Sequence, residues 1–208
     1  MKKTILSLVA LLGLSACSGL LPSLVGEPPA LLQITAPQSI ASTEPLSRKQ
    51  LLIDVPVASA GIDTPRVAII QGDGTMAYYK NVSWTDRVPV MYQTLLVESF
   101  GVSGKLPAVG RENVGLRADY LLKTDLLAFE ASYKAGAVPV VKVSLTAKLI
   151  GMPRRLIVAG NTFSAEVEAE NDSVLAVRDA FQQASDKAVS QLVNWTLNEL
   201  DEQQQRRR

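Results

Sequence analysis

The sequence predicts an α+β domain in which a largely antiparallel sheet is covered on one face by two main helices. Three observations carry that prediction. Val141, Val143, Leu145, Ala147 and Leu149 alternate with Lys142, Ser144, Thr146 and Lys148, as a strand with one buried and one wet face requires. Two other stretches, near residues 88–100 and 173–200, repeat their apolar residues at spacings of three and four, as amphipathic helices do. The order of elements is strands, helix, three long strands, helix. Segregated strands and helices build a layered α+β domain, not a parallel doubly wound one.

Taken in order, residues 31–35 form a short strand and the polar, Pro-containing residues 36–48 a loop. Residues 50–57 and 66–70 are rich in Leu, Ile and Val, bounded by Pro and Gly, and read as buried strands joined by a short connection. Gly72-Asp73-Gly74 turns the chain into a strand over 75–80, a hairpin. The spacing of Met91, Leu95 and Phe100 predicts a helix over 88–100. Thr85 or Asp86 stands where an N-cap belongs, Pro89 is tolerated in the first turn, and Gly101 and Gly104 stop the helix. A brief strand follows near 105–109. Residues 120–133, 141–149 and 156–168 make an antiparallel meander, with turns at Gly136 and at Gly151-Met152-Pro153. Asn171-Asp172-Ser173 caps a last helix reaching about residue 200, with Val174, Val177, Phe181, Ala184, Ala188, Leu192 and Trp195 on one apolar stripe. That stripe is expected to pack on the sheet.

The N-terminus carries a different signal. Lys2 and Lys3 precede an apolar run from about Ile5 to Leu14, too short to span a bilayer, and small residues follow. The single cysteine of the chain, Cys17, stands directly after Leu14-Ser15-Ala16. This arrangement resembles the lipobox of bacterial lipoproteins, in which the cysteine thiol receives diacylglycerol, the leader is cut before it and the new N-terminus is acylated. The resemblance makes Cys17 a lipid anchor. Ser18, where Asp often marks retention at the inner membrane, implies sorting to the outer membrane, facing the periplasm. The expected organisation is a cleaved signal peptide over 1–16, a lipidated tether over 17–29, one domain over 30–200 and a polar, basic tail over 201–208.

Composition narrows the function. Beyond Cys17 the side chains comprise 19 basic and 20 acidic groups, a balance that gives no field for nucleic acid. The chain has no histidine, hence no neutral-pH imidazole base and no imidazole metal ligand. With Cys17 lipidated no thiol remains, and neither a Ser-x-x-Lys nor a Gly-x-Ser-x-Gly motif occurs. Gly72-Asp73-Gly74 lacks the Lys-Ser/Thr of a phosphate loop. The expectation is a protein that is not an enzyme and needs no cofactor or metal. One surface candidate stands out. Trp84 lies in the polar run Asn81-Val82-Ser83-Trp84-Thr85-Asp86-Arg87, where no periodicity forces it inward. It either folds over the edge of the core or, together with Arg87, contacts a partner, since interfaces favour Trp and Arg.

Several stretches in order are similar to the auxiliary lipoproteins of ABC-type transport systems. They are Leu52-Ile53-Asp54-Val55-Pro56-Val57, Ile62-Asp63-Thr64-Pro65-Arg66-Val67-Ala68, Met76-Ala77-Tyr78-Tyr79 with Trp84, Tyr120-Leu121-Leu122 to Phe129-Glu130, Ala180-Phe181 and Trp195. The resemblance covers the chain from the lipobox nearly to Leu200. Where the family often has Tyr-x-Leu, this chain has Leu31-Leu32-Gln33-Ile34. The resemblance implies a noncatalytic periplasmic lipoprotein with a fold similar to the N-terminal domain of TolB. Its partners would be a mammalian-cell-entry (MCE) type periplasmic protein, an inner-membrane permease and an ATPase, as in the Pqi system, moving phospholipid or another hydrophobic substrate between membranes. A homo-oligomer is compatible with this. Two other readings stay open: a chaperone holding the acyl chain in a cavity of its own, and an activator or assembly factor for an envelope enzyme or secretion machine.

Overall fold

The computed structural model describes residues 28–112, 117–133 and 136–206. Cys17, the signal peptide and most of the expected tether lie outside the described residues, as do the last two arginines. The elements are β1 (Ala30–Leu32), β2 (Gln50–Ile53), β3 (Val57–Ala58), β4 (Arg66–Ile70), β5 (Met76–Trp84), α1 (Val88–Ser103), β6 (Ala108–Arg111), β7 (Tyr120–Ser132), β8 (Val140–Gly151), β9 (Leu156–Glu168) and α2 (Val174–Gln205).

All nine strands form one sheet organised around β7. Along one edge, β7 pairs antiparallel with β8 from Tyr120↔Gly151 to Ser132↔Val140, and β8 pairs antiparallel with β9 over its whole length. This is the meander the alternation predicts. Along the other edge, three short strands dock in succession and in parallel: β2 at Leu51↔Tyr120, β3 at Val57↔Asp125 and β4 at Ile69↔Ala131. β5 returns antiparallel on β4, β1 adds to β5 in parallel, and β6 adds to β2 in parallel. The long ladders are antiparallel and the short ones are mostly parallel.

The single strand expected over 50–57 is split. Pro56 has no N–H to give a ladder, so pairing stops at Asp54, whose N–H reaches Leu122 O at 3.0 Å, and resumes at Val57. β5 instead runs beyond the expected end at Lys80. Asn81 takes a left-handed backbone (φ 55°), which Asn accepts more readily than most residues, and the register against β4 slips there. The bulge turns Val82 and Trp84 inward. A second slip lies between Leu126 and Ala128 of β7 and leaves Leu127 57% exposed amid a buried strand.

Both helices cover the same face. Leu51 and Ile53 of β2, Leu122 and Phe129 of β7, the alternating residues 141–149 of β8 and Phe163 and Ala165 of β9 join Tyr92, Leu95, Leu96 and Phe100 of α1 and Phe181, Ala184, Ala188 and Leu192 of α2 in one core. At its centre Phe129 lies 4.7 Å from Phe181, 5.3 Å from Trp84 and 5.8 Å from Tyr92, ring centre to ring centre. Gln93 of α1 donates to Ile53 O at 2.9 Å, tying the helix to the point where β2 ends.

Helix ends differ in part from expectation. At α1 neither Thr85 nor Asp86 caps: Arg87 is the N-cap residue, with no side-chain bond, and Asp86 Oδ1 instead accepts from Arg87 N at 2.7 Å. Pro89 does sit in the first turn. Gly101 is inside the helix; Gly104, left-handed at φ 63°, ends it. Ser173 caps α2, its Oγ accepting from Ala176 N at 3.3 Å. α2 passes the expected end at Leu200 and continues to Gln205, so part of the expected tail is helical.

Candidate interaction surface

The face of the sheet turned away from the helices is organised by cross-strand register. Most of it is charged and paired. Lys123 and Lys148 are direct neighbours on β7 and β8, a like-charge contact that would be unfavourable alone. Asp54 takes Lys123 at 2.6 Å and Asp125 takes Lys148 at 2.9 Å. Farther along, Lys142 pairs with Glu166 at 3.0 Å, and the hydroxyls of Thr146 and Thr162 meet at 2.9 Å.

One end of this face is different. Leu52 lies opposite Leu121, Leu121 opposite Ile150, and Ile150 opposite Ile157, so an aliphatic row crosses four strands. Leu52, Leu121 and Ile150 form a small cluster separate from the main core, with Ala118 packed against it. Above Leu52 and Leu121 opens a cavity of about 500 Å³ whose other walls are Ala118, Met152, Pro153, the exposed Arg117 and the half-buried Glu112. Fixed charges surround it. Burial opposes the Asp54 carboxylate, yet the bonds from Lys123, Glu112 and Val55 N outweigh it and hold Asp54 below the usual carboxylate range. Glu112 is raised, first by burial and then by its hydrogen bond to Asp54. An apolar floor with charges held in place around it is a surface for recognition: the floor offers area to desolvate and the charges give orientation.

The residues singled out in the sequence fall elsewhere. Of the two readings of Trp84, the structure bears out packing on the core and corrects the partner contact: it is 1% exposed, wedged edge-on against Phe181 at 5.1 Å, because the Asn81 bulge carries β5 four residues further than its pattern suggested. Arg87 is exposed and bound to the Asp63 carboxylate through both Nε and Nη2, which raises its own pKa. Bound in this way, it holds the start of α1 to the loop before β4. Trp195 is half-buried and lies on Phe163 at 5.5 Å, at the margin of its stripe. The cavity was not singled out in the sequence. Leu52 and Leu121 read there as parts of strands and Ile150 falls between a strand and a turn; what joins them, their shared place out of phase with Leu51, Leu122 and Leu149, appears only once register is known. Among the described residues no group of three or more His, Cys, Asp or Glu is placed to hold a metal, and no helix is long and apolar enough to cross a membrane.

Residues 31–194 match the family model described as the ABC-type transport auxiliary lipoprotein component. The chain belongs to this family. A crystal structure of a Xanthomonas campestris protein of the DUF330 family superposes with a TM-score of 0.80 at 30% identity, over 85% of this chain and 99% of that one. An uncharacterized protein of known structure superposes with a TM-score of 0.64 at 13% identity, over 82% of this chain and 99% of the other, a likeness of fold alone. No functionally curated protein matches the chain. Membership makes this ABC-transport auxiliary lipoprotein a lipid-anchored protein of the cell envelope and a component of a transport system.

Proposed function

We propose that this auxiliary lipoprotein is a noncatalytic docking component, lipidated at Cys17, tethered through residues 17–29 to the periplasmic side of the outer membrane. Its domain meets an MCE-type periplasmic protein that works with an inner-membrane permease and an ATPase, and a phospholipid or similar hydrophobic substrate passes between the membranes. The family match over residues 31–194 is the observation that carries this reading. The cavity on the open face supports it as the docking point. It has an apolar floor and a charged rim, fitted to a protruding apolar side chain of a partner. An acyl-chain chaperone is less well supported, because the side chains between sheet and helices, Trp84, Phe129, Phe181 and Tyr92 among them, fill the main core.

The test is co-expression of the full chain with an MCE-type protein, permease and ATPase of the same organism, followed by affinity purification from envelope membranes. All three are expected with the wild-type chain. The Cys17→Ser chain should lose palmitate labelling and remain an uncleaved precursor. Co-purification of an envelope synthase or a secretin in place of the transporter would replace this reading with that of an assembly factor.

A further inference from the structure

In the turn joining β8 to β9, Met152 and Pro153 wall the cavity, but Arg154 and Arg155, and the Leu156 and Ile157 that begin the next strand, are not part of its lining. These two aliphatic side chains are 60% and 64% exposed. Leu156 pairs with Gly151 and Ile157 with Ile150, so as consecutive strand residues they point to opposite faces of the hairpin. Ile157 continues the aliphatic row beside Ile150, whereas Leu156 points away from it, and neither lines the cavity. The cations are as unusual. Arg154 and Arg155 are exposed and make no ion pair within 4 Å among the described residues, although the Arg155 charge lies near enough to Glu112 to favour its carboxylate. Arg155 also holds a left-handed backbone at φ 55°, where glycine would cost less, so the turn keeps an arginine against its conformational preference.

A protruding tip, apolar on both faces and cationic at its turn, complements one kind of surface. Headgroup phosphates of an anionic bilayer would take the guanidinium groups, and the acyl boundary would take aliphatic side chains from both faces at once. A protein partner would have to clamp the hairpin from two sides. We infer that the β8–β9 hairpin tip is a membrane-contact wedge that seats Leu156 and Ile157 in the interface of an anionic lipid surface, with Arg154 and Arg155 on its phosphates. This goes beyond the docking reading and needs no transporter partner. The tip can reach the bilayer that holds the anchor. β1 enters the sheet at the level of Phe129, nine residues or about 30 Å along β7 from the hairpin. The 13 residues from Cys17 to Pro29 span up to about 45 Å.

The test uses the full chain reconstituted into vesicles, with an environment-sensitive fluorophore on Leu156→Cys and, as a control, on Asp73→Cys in the turn at the opposite end of the sheet. In phosphatidylethanolamine–phosphatidylglycerol vesicles, spin-labelled lipid should quench the tip label several-fold more than the control. The difference should shrink in 0.5 M salt, a reagent condition on the order of which surface electrostatics are screened. It should vanish in pure phosphatidylcholine and in tip-labelled chains carrying Ile157→Glu or the pair Arg154→Glu and Arg155→Glu, whose melting temperatures should match the parent. Equal quenching of tip and control in anionic vesicles overturns the wedge. So does a tip label shielded only when the transporter proteins are added, which would assign the hairpin to a protein contact while leaving the docking reading intact.

Discussion

The two faces of this sheet are made from the same strands by different chemistry. Toward the helices, Val141, Val143, Leu145, Ala147 and Leu149 of β8 are buried among aromatic rings from five elements, and almost every side chain is apolar. Toward the other side, the intervening Lys142 and Lys148 are held by Glu166 and Asp125, and the row from Leu52 to Ile157 gives the face an apolar end. Apolar burial contributes about 25 cal/mol per Å², whereas an exposed ion pair contributes about 0–1 kcal/mol. The covered face therefore holds the fold together, and the open face is free to be specified by what binds it.

The largest effect that would break this contrast is expected at Trp84. Trp84→Ala empties the centre of the aromatic cluster and should lower stability by about 3–5 kcal/mol in denaturant titration. A change below about 1 kcal/mol would mean that the core does not rest on that cluster.

Titration separates the faces further. Burial raises the Tyr92 phenol on the covered side, and burial with the bond to Tyr133 raises that of Tyr79, which is packed against the same core. Because their folded values lie above the unfolded ones, their stabilisation is complete below about pH 10 and is lost as pH rises beyond it. Melting temperature should accordingly fall between about pH 10 and 12. On the open side Asp54 is depressed, so its contribution is present above about pH 4 and fades as pH falls through the lower folded value. Since that carboxylate is half-buried, with burial opposing the bonds that depress it, Asp54→Asn should flatten the acid limb only slightly. The smallest effect is expected at Lys148→Ala, which should cost about 0.2–1 kcal/mol despite breaking a 2.9 Å contact. A loss of several kcal/mol there would show that the open face also carries the fold.

The contrast also explains what the sequence could disclose. β8, β9 and α2 were legible because their own periodicity matches one buried and one wet side, and Ser173 announced the last helix. The Asn81 bulge was not legible. It converts a polar-looking run into core and thereby moved Trp84 from candidate contact to the least exposed tryptophan. The cavity was hidden for another reason. Leu52, Leu121 and Ile150 come from three different strands, and none stands out until register sets them side by side on the outer face. A pattern within one strand records which residues are buried, while a site made by neighbouring strands is recorded only in their alignment.

The central claim is that the apolar end of the open face is where the transporter docks. Ala118→Trp tests it most directly, because a large ring at that wall fills the cavity without touching the helix-covered core. Affinity purification of the full chain with its co-expressed MCE-type protein, permease and ATPase should then recover at least tenfold less of the MCE-type protein than the wild-type chain does, an effect on the order of 1.4 kcal/mol. Its melting temperature should be unchanged, and its Trp84 core intact. Undiminished recovery of the MCE-type protein with the cavity filled would contradict the account.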